Sequence, residues 1–470
     1  MKRRSVKLLV LAMVVLLLLP LVACQNGSTP STQSPPSQSP SQAPSQSPSQ
    51  SPSQTPSQSP SQSPSGQEPA GPAKPDSIKI GFIDDLTGSS AAQGIYMQQG
   101  WEMAMKQLGN KLGGVDVQTV LEDSASDPST AVTKATKLID NDNVDILFGS
   151  SITACGNAIA PVAVEKQVPF VMPVVAADTL TQHSFSPYIF RTGWNSSQPM
   201  YLFGKYAHDV MGLNTIAVVA SDFAFLYEQV GAFKIGFELA GGKITDVQWV
   251  PLNQTDFGAY TAAIPTNVDA LLNCITGGSG PTFVQEVANY GIKDKMTILS
   301  SGTTVEESWL EACGDAAVGY ISASHYSNAI GTPAMNAFTD EFESEYKVAP
   351  AFAAESCYST ALMLDAVYQY IFDNGLDYKN IDDLNTAFHA VKVEIPRGTL
   401  QLDEMNSAIN NIYIRRVDKI DNNPYAHYQN TPIMEWDNVD QWGNGPFTKE
   451  QRLALPIYSR DWPWNASGIY

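Results

Sequence analysis

The chain has 470 residues, 43% apolar and 16% charged, with a formal net charge of −20. That length exceeds one ordinary domain and points to two or three. The acidic balance excludes a nucleic-acid-binding protein, since a phosphate backbone demands clustered Lys and Arg. After the first segment no apolar run approaches the ~20 residues of a membrane span, which excludes a polytopic membrane protein.

Lys2, Arg3, Arg4 and Lys7 lead into an apolar stretch from Leu8 to Ala23, the charge pattern and length of a secretory signal. Its end, Leu21-Val22-Ala23-Cys24, resembles the bacterial lipobox. The resemblance implies removal of residues 1–23 and a diacylglycerol on the Cys24 sulfur. An ordinary signal cleaved before a chance Cys, or an uncleaved anchor, are the alternatives, but Pro20 and the small Ala23 suit a processing site better than a continuing span. Two acyl chains, at ~0.8 kcal/mol per buried CH2, anchor stably.

Between Gln25 and Gln67 there is no Asp, Glu, Lys or Arg, and most of the stretch repeats Ser-Pro-Ser-Gln. Such a segment has little to bury against its ordering entropy. Its prolines favour an extended polyproline II stalk, so residues 24–75 read as a lipidated Cys and a spacer. A ligand for Pro-groove domains and a glycosylated stalk are the other readings. Cys155, Cys274, Cys313 and Cys357 show neither a CxxC pair nor metal-ligand spacing; one or two disulfides or buried free thiols remain open.

From Ser77 the chain alternates strand and helix. Ser77–Leu86 reads as a strand and Ala91–Leu108 as a helix, followed by a strand over Val115–Leu121. Asp127-Pro128-Ser129 opens the next helix with Asp as N-cap and Pro in the first turn. Val144–Phe148, Phe170–Val174, Thr215–Val219, Ile244–Val250, Ala270–Ile275 and Met296–Leu299 are further short strands. Met200–Met211, Glu228–Leu239, Thr282–Tyr290 and the long stripe Ala353–Ile371 read as helices. Repeated βα units imply α/β architecture with largely parallel, doubly wound sheets, and about ten units suit two lobes rather than one.

Ligands of such sheets sit beyond the carboxyl ends of strands, at helix N-termini. The loops there, Asp84–Ser90, Gly149–Gly156 and Val174–Thr179, are rich in hydroxyls and small residues. They read as a cradle for a carboxylate or other anion made from neutral donors.

The stretches Ile78–Gly88, Asp123–Asp140, Val144–Gly149, Pro169–Gln182, Phe190–Gln198, Phe233–Lys243 and Gly314–Gly319 recur in an order similar to that of a known family. Over about residues 77–418 the chain resembles the type I periplasmic binding proteins of ABC transporters, in the branched-chain amino acid (leucine-binding) branch. The resemblance implies two lobes joined by three hinge crossings and closing on a small ligand: residues 77–195 and 327–394 as one lobe, 196–326 and 395–450 as the other, and 451–470 as a C-terminal tail. It implies neither catalysis nor a cofactor, and a monomer anchored outside the cytoplasmic membrane that delivers its ligand to permease subunits.

Carried over by residue, the resemblance places Thr153, Ala154, Ala176 and Ala177 against the ligand carboxylate. Gln93 stands where the family has an aromatic residue. Asn195 stands where an acid commonly fixes the ligand ammonium, and Thr303 where a second acid does. Phe225 takes the position of a Tyr, and Gly277-Gly278-Ser279 that of a Gly-Gly-Tyr loop. A buried, unpaired ammonium is very costly, so loss of both acids points away from an unmodified amino acid. Trp194, Phe225 and the hinge pair His325-Tyr326 suggest aromatic walls, and Arg397-Gly398-Thr399-Leu400 is similar to members that carry aromatic carboxylates. The expected ligand is therefore a small carboxylate, aromatic or branched-chain amino acid-like.

Plainer readings accompany these. Trp194 and Phe225 could be core aromatics. Asp140, Asp142 and Asp145 lack the spacing of a calcium loop. Ser150-Ser151 lacks a nucleophile elbow, and Thr303 is no general base at neutral pH. Asn465-Ala466-Ser467 is read as a chance sequon. A ligand sensor signalling to a separate membrane partner is the alternative to an importer subunit, and an enzyme would need a base or nucleophile that the loops do not offer.

Overall fold

A computed structural model describes residues 74–461 apart from 253 and 422; the signal, Cys24, the spacer and the last nine residues lie outside it. The first sheet contains β1 (Ser77–Asp84), β2 (Lys111–Leu112), β3 (Val115–Asp123), β4 (Ile146–Gly149), β5 (Phe170–Met172) and β6 (Ile189–Arg191) in the order β2-β3-β1-β4-β5-β6. All its pairings are parallel except the short β2–β3 hairpin. Helices α1 (Ala91–Gln107), α2 (Pro128–Asp140) and α3 (Thr153–Lys166) connect these strands. Asp127 caps α2 as the sequence predicts, accepting from Thr130 N at 2.8 Å.

The second sheet begins with β7 (Thr215–Ser221), β8 (Lys243–Val250), β9 (Ala270–Cys274), β10 (Thr297–Ser301) and β11 (Ile321–Ser324). It interleaves with α4 (Gln198–Asp209), α5 (Ala224–Ala240), α6 (Gly258–Ala262), α7 (Gly280–Asn289) and α8 (Glu307–Cys313). The chain then adds α9 (Pro333–Tyr346), α10 (Phe352–Asp373) and α11 (Ile381–Ala390), of which α10 packs along α1 of the first lobe. It returns to the second sheet with β12 (Val393–Ile395), β13 (Gly398–Leu402), β14 (Ala408–Lys419) and β15 (Tyr428–Val439), and ends in α12 (Lys449–Ala454). The order is β12-β13-β14-β11-β10-β9-β7-β8, with β15 paired to β14.

Two sheets, each flanked by helices, make two lobes, and the chain passes between them through 192–197, 325–332 and 391–392. In the first sheet β1 lies between β3 and β4, and in the second β7 lies between β8 and β9. Strand order thus reverses beside β1 and beside β7, opening a crevice at the carboxyl end of each sheet.

Within 395–450, β15 runs antiparallel to β14 for most of its length. The open question about the cysteines closes: Cys155, Cys274, Cys313 and Cys357 are all free and buried. Burial pushes the Cys155 and Cys274 thiols up to about 12, so neither is a ready nucleophile.

Candidate functional site

The crevices of the two lobes face each other and enclose a cavity of about 490 Å³. On the first lobe Asp85 organises its wall. This buried carboxylate, at the end of β1, accepts from Ser150 Oγ at 2.5 Å, Ser151 N at 2.7 Å and Ser151 Oγ at 2.6 Å, and also from Ser124 Oγ. It therefore ties together the loops following β1, β3 and β4. Its neighbour Asp84 is pushed up to about 8, first by burial and then by the charges of Asp85 and Asp123, against the opposing hydrogen bond from Asp85 N.

Gly149 turns the chain out of β4 at φ +118°, where a Cβ would lie 1.9 Å from Ile83 O. The turn delivers Ile152 as N-cap of α3, with no side chain capping the helix. The first N–H groups of a helix have no intrahelical acceptors. Thr153 and Ala154, at the start of α3, line the cavity, and the helix dipole there favours a negative ligand group.

The second lobe contributes Ser221 at the end of β7, Phe223 just after it, Phe225 at the start of α5, and the Thr276–Ser279 turn after β9. Thr303 Oγ1 lies 2.8 Å from Ser301 Oγ and accepts from Thr276 Oγ1 at 3.1 Å, a chain of hydroxyls at the cavity edge. Trp194, in the first crossing, forms the floor. Its ring stacks on buried His325 at 5.0 Å and meets Phe225 and Phe352 edge-on at 5.7 and 6.0 Å. Its buried Nε1 finds no acceptor among the described residues.

Of the residues singled out from the sequence, Gln93, Thr153, Ala154, Ala176, Trp194, Phe225, Gly278, Ser279 and Thr303 all line this cavity. Ala177 and Asn195 do not. Ala177 turns into the core of the first lobe, and its carbonyl accepts from Arg191 Nη2. Asn195 is spent on the hinge: Nδ2 donates to Gln441 O at 2.9 Å and Oδ1 accepts from Gln198 N at 3.0 Å. His325 and Tyr326 are not walls either. His325 supports Trp194 from behind, with burial holding its imidazole neutral, and Tyr326 OH donates to Pro350 O.

Ser221, Phe223 and Thr276 were legible in principle, since they end or closely follow parallel strands. Phe352 was not, because it arrives at the N-terminus of α10 after a long excursion. Among the described residues that line the cavity, none is Asp, Glu, Lys, Arg or His. No group of three His, Cys, Asp or Glu that could hold a metal ion occurs among the described residues. The arrangement can bind an anion through hydroxyls and N–H groups and cover an apolar or aromatic body. It holds no acid–base pair.

Residues 77–423 match the family described as periplasmic binding protein. Among curated relatives, Leu/Ile/Val-binding protein homolog 6 of Brucella abortus (strain 2308) is 28% identical over 369 residues, covering 76% of this chain and 91% of the relative. Among solved structures, a solute binding protein of an ABC transporter from Rhodopseudomonas palustris BisB5, in complex with 3,4-dihydroxybenzoic acid, is 28% identical with a TM-score of 0.73. That similarity covers 79% of this chain and 100% of the other. A solute binding protein from Rhodopseudomonas palustris HaA2, in complex with p-hydroxybenzoic acid, is 26% identical with a TM-score of 0.72, over 79% of this chain and 100% of that one.

Proposed function

The chain belongs to the periplasmic binding protein family, and we propose that it captures an aromatic carboxylate outside the cytoplasmic membrane and hands it to the permease of an ABC importer. Its relatives are solute-binding proteins, and it is not an enzyme. The observation that carries the choice of ligand is the cavity lining, which has no charged side chain among the described residues. An α-amino acid brings an ammonium that needs a carboxylate when water is excluded. A benzoate-like acid needs donors for one carboxylate and cover for a ring. The uncapped start of α3, the Thr153 hydroxyl and Trp194 Nε1 supply donors, while Trp194, Phe223, Phe225 and Phe352 supply cover. A cavity of about 490 Å³ falls within the ordinary range for small-molecule sites.

In the same proposal, Cys24 carries the lipid that anchors the protein and the Ser/Pro/Gln-rich spacer lifts the lobes off the membrane. Lobe closure sequesters the ligand, and the permease discriminates the closed form by contacts that the open form lacks. A second reading, a branched-chain amino acid ligand, is favoured by the naming of the Brucella relative.

A thermal-shift screen of residues 76–470 separates the two readings, using benzoate, 4-hydroxybenzoate, 3,4-dihydroxybenzoate, leucine, isoleucine and valine. A ligand at 100 times its Kd stabilises by about 2.7 kcal/mol. Stabilisation by the aryl acids and not by the amino acids is the expected result; stabilisation by leucine alone would sink the aromatic assignment.

A further inference from the structure

Gln93 lines the cavity from α1 of the first lobe, and its Nε2 donates to Glu306 Oε1 of the second lobe at 3.4 Å. Glu306 does not line the cavity. It is the N-cap of α8, with Oε2 accepting from Ser308 N at 3.2 Å and Oε1 held by the Ser308 hydroxyl. The acceptor is therefore fixed by its own helix, while the donor is on a side chain that reaches across the cleft. Both residues are buried. Two other polar bonds between the lobes, Asn410 Nδ2 to Gly193 O and Arg397 Nη2 to Thr192 O, lie at the hinge, where opening changes distances least, and a third joins Asp178 N to Glu228 Oε1 at 3.2 Å. A bond at the cavity wall must break when the lobes part.

We infer that Gln93 and Glu306 form a latch across the cleft that holds the closed form over the ligand and thereby sets its residence time. This rests on the solute-binding reading above and adds to it a pair of positioning residues, one of which never touches the ligand. A hydrogen bond made only in the closed form slows release, and to the extent that the ligand-free protein also samples that form it lowers the open, binding-competent fraction.

The test is stopped-flow binding of 4-hydroxybenzoate to wild type, Gln93→Ala, Glu306→Ala, the double variant and Glu306→Gln, with small-angle X-ray scattering of each ligand-free protein. Each alanine variant should release ligand roughly three- to tenfold faster, the range set by one net hydrogen bond, with the association rate unchanged or faster. The double variant should be no worse than the worse single one, as for two partners of one contact. Glu306→Gln has one acceptor oxygen where Glu306 uses two, so it keeps either the Gln93 bond or the Ser308 N cap and should release ligand at a rate between those of wild type and Glu306→Ala. Ligand-free Gln93→Ala should have a larger radius of gyration than wild type. Additive effects in the double variant, or unchanged release from Glu306→Ala, would overturn the latch. If wild type binds no aryl acid, the aromatic-ligand reading fails by itself; scattering then decides the latch, an expanded Gln93→Ala supporting it and identical radii overturning it.

Discussion

The cavity and the hinge core behind it differ most in how they use charge. Among described residues the cavity lining carries none. Behind it, Arg191, Arg397 and Arg415 are all buried. Arg397 pairs with Glu355 and donates to Thr192 O at 2.9 Å. Arg415 lies 3.7 Å from Glu307 and donates to Tyr326 O at 2.7 Å and Gly302 O at 2.9 Å. Arg191 donates to Ala177 O and the Thr181 hydroxyl, and Asp178 and Glu228 lie near enough to act on its charge. A buried ion is tolerable when its partners are permanent. A site that fills and empties has no permanent partner, so neutral dipoles serve there: they are less costly to leave facing water and still strong against an anion once the cleft closes.

The largest effect should come from breaking the hinge core. Arg397→Ala leaves Glu355 buried without its partner and Thr192 O without a donor, and should destabilise the fold by about 3–5 kcal/mol, read by urea denaturation. If the loss is below about 1 kcal/mol, the hinge charges resemble surface pairs and the contrast with the cavity collapses.

Next, charge can be put where the cavity has none. Ala154 is exposed, at the second position of α3, and lines the cavity. Ala154→Asp places a carboxylate at a helix N-terminus, where it is stabilising by up to about 1 kcal/mol. It should weaken aryl-acid binding by roughly 100-fold through like-charge repulsion in the closed cleft. Calorimetric titration together with a melting curve separates the two effects. A lower Tm or unchanged affinity would argue against an anion cradle at α3.

The pH dependence sharpens the same contrast at Asp84, a buried carboxyl beside the cavity wall whose Oδ2 has no partner among the described residues. Its folded pKa is raised to about 8, above that of an unfolded Asp. Between the ordinary carboxylate range and about 8 the folded state therefore binds the extra proton, and stability falls as pH rises through that window. Asp84→Asn keeps an acceptor for Asp85 N, which now bonds to Asp84 Oδ1 at 2.7 Å. The variant should be more stable than wild type at pH 8.5 by on the order of 1–2 kcal/mol, with the advantage shrinking towards pH 5. Melting curves across that range check the sign.

The smallest expected effect is at Trp194. Replacement by Phe keeps a ring between His325 and Phe225 but deletes Nε1. We expect roughly fivefold weaker binding of 4-hydroxybenzoate, the worth of one hydrogen bond, with little change in Tm. Unaltered affinity would mean that Trp194 contributes only its ring.

Much of this protein was legible along the chain. Short β-branched runs alternating with helical stripes gave the α/β class, Asp127-Pro128 marked the start of α2, and the hydroxyl-rich ends of strands gave most of the cavity wall, because these signals reside in neighbouring residues. The β14–β15 pair was not legible: Pro432 interrupts the apparent strand, yet it is tolerated because β15 pairs only with β14 and leaves its other edge open. Asn195 shows the limit most clearly. Its position in the first crossing is right for a ligand contact, but Gln441, 246 residues away, takes its Nδ2. Sequence by itself determined which residues could form strands, caps and donor loops, since those depend on local backbone preference and hydrophobic period. Only the tertiary structure decided which side chains face the cleft, because that depends on what the distant partners Gln441, Glu306 and Phe352 bring to the same point in space.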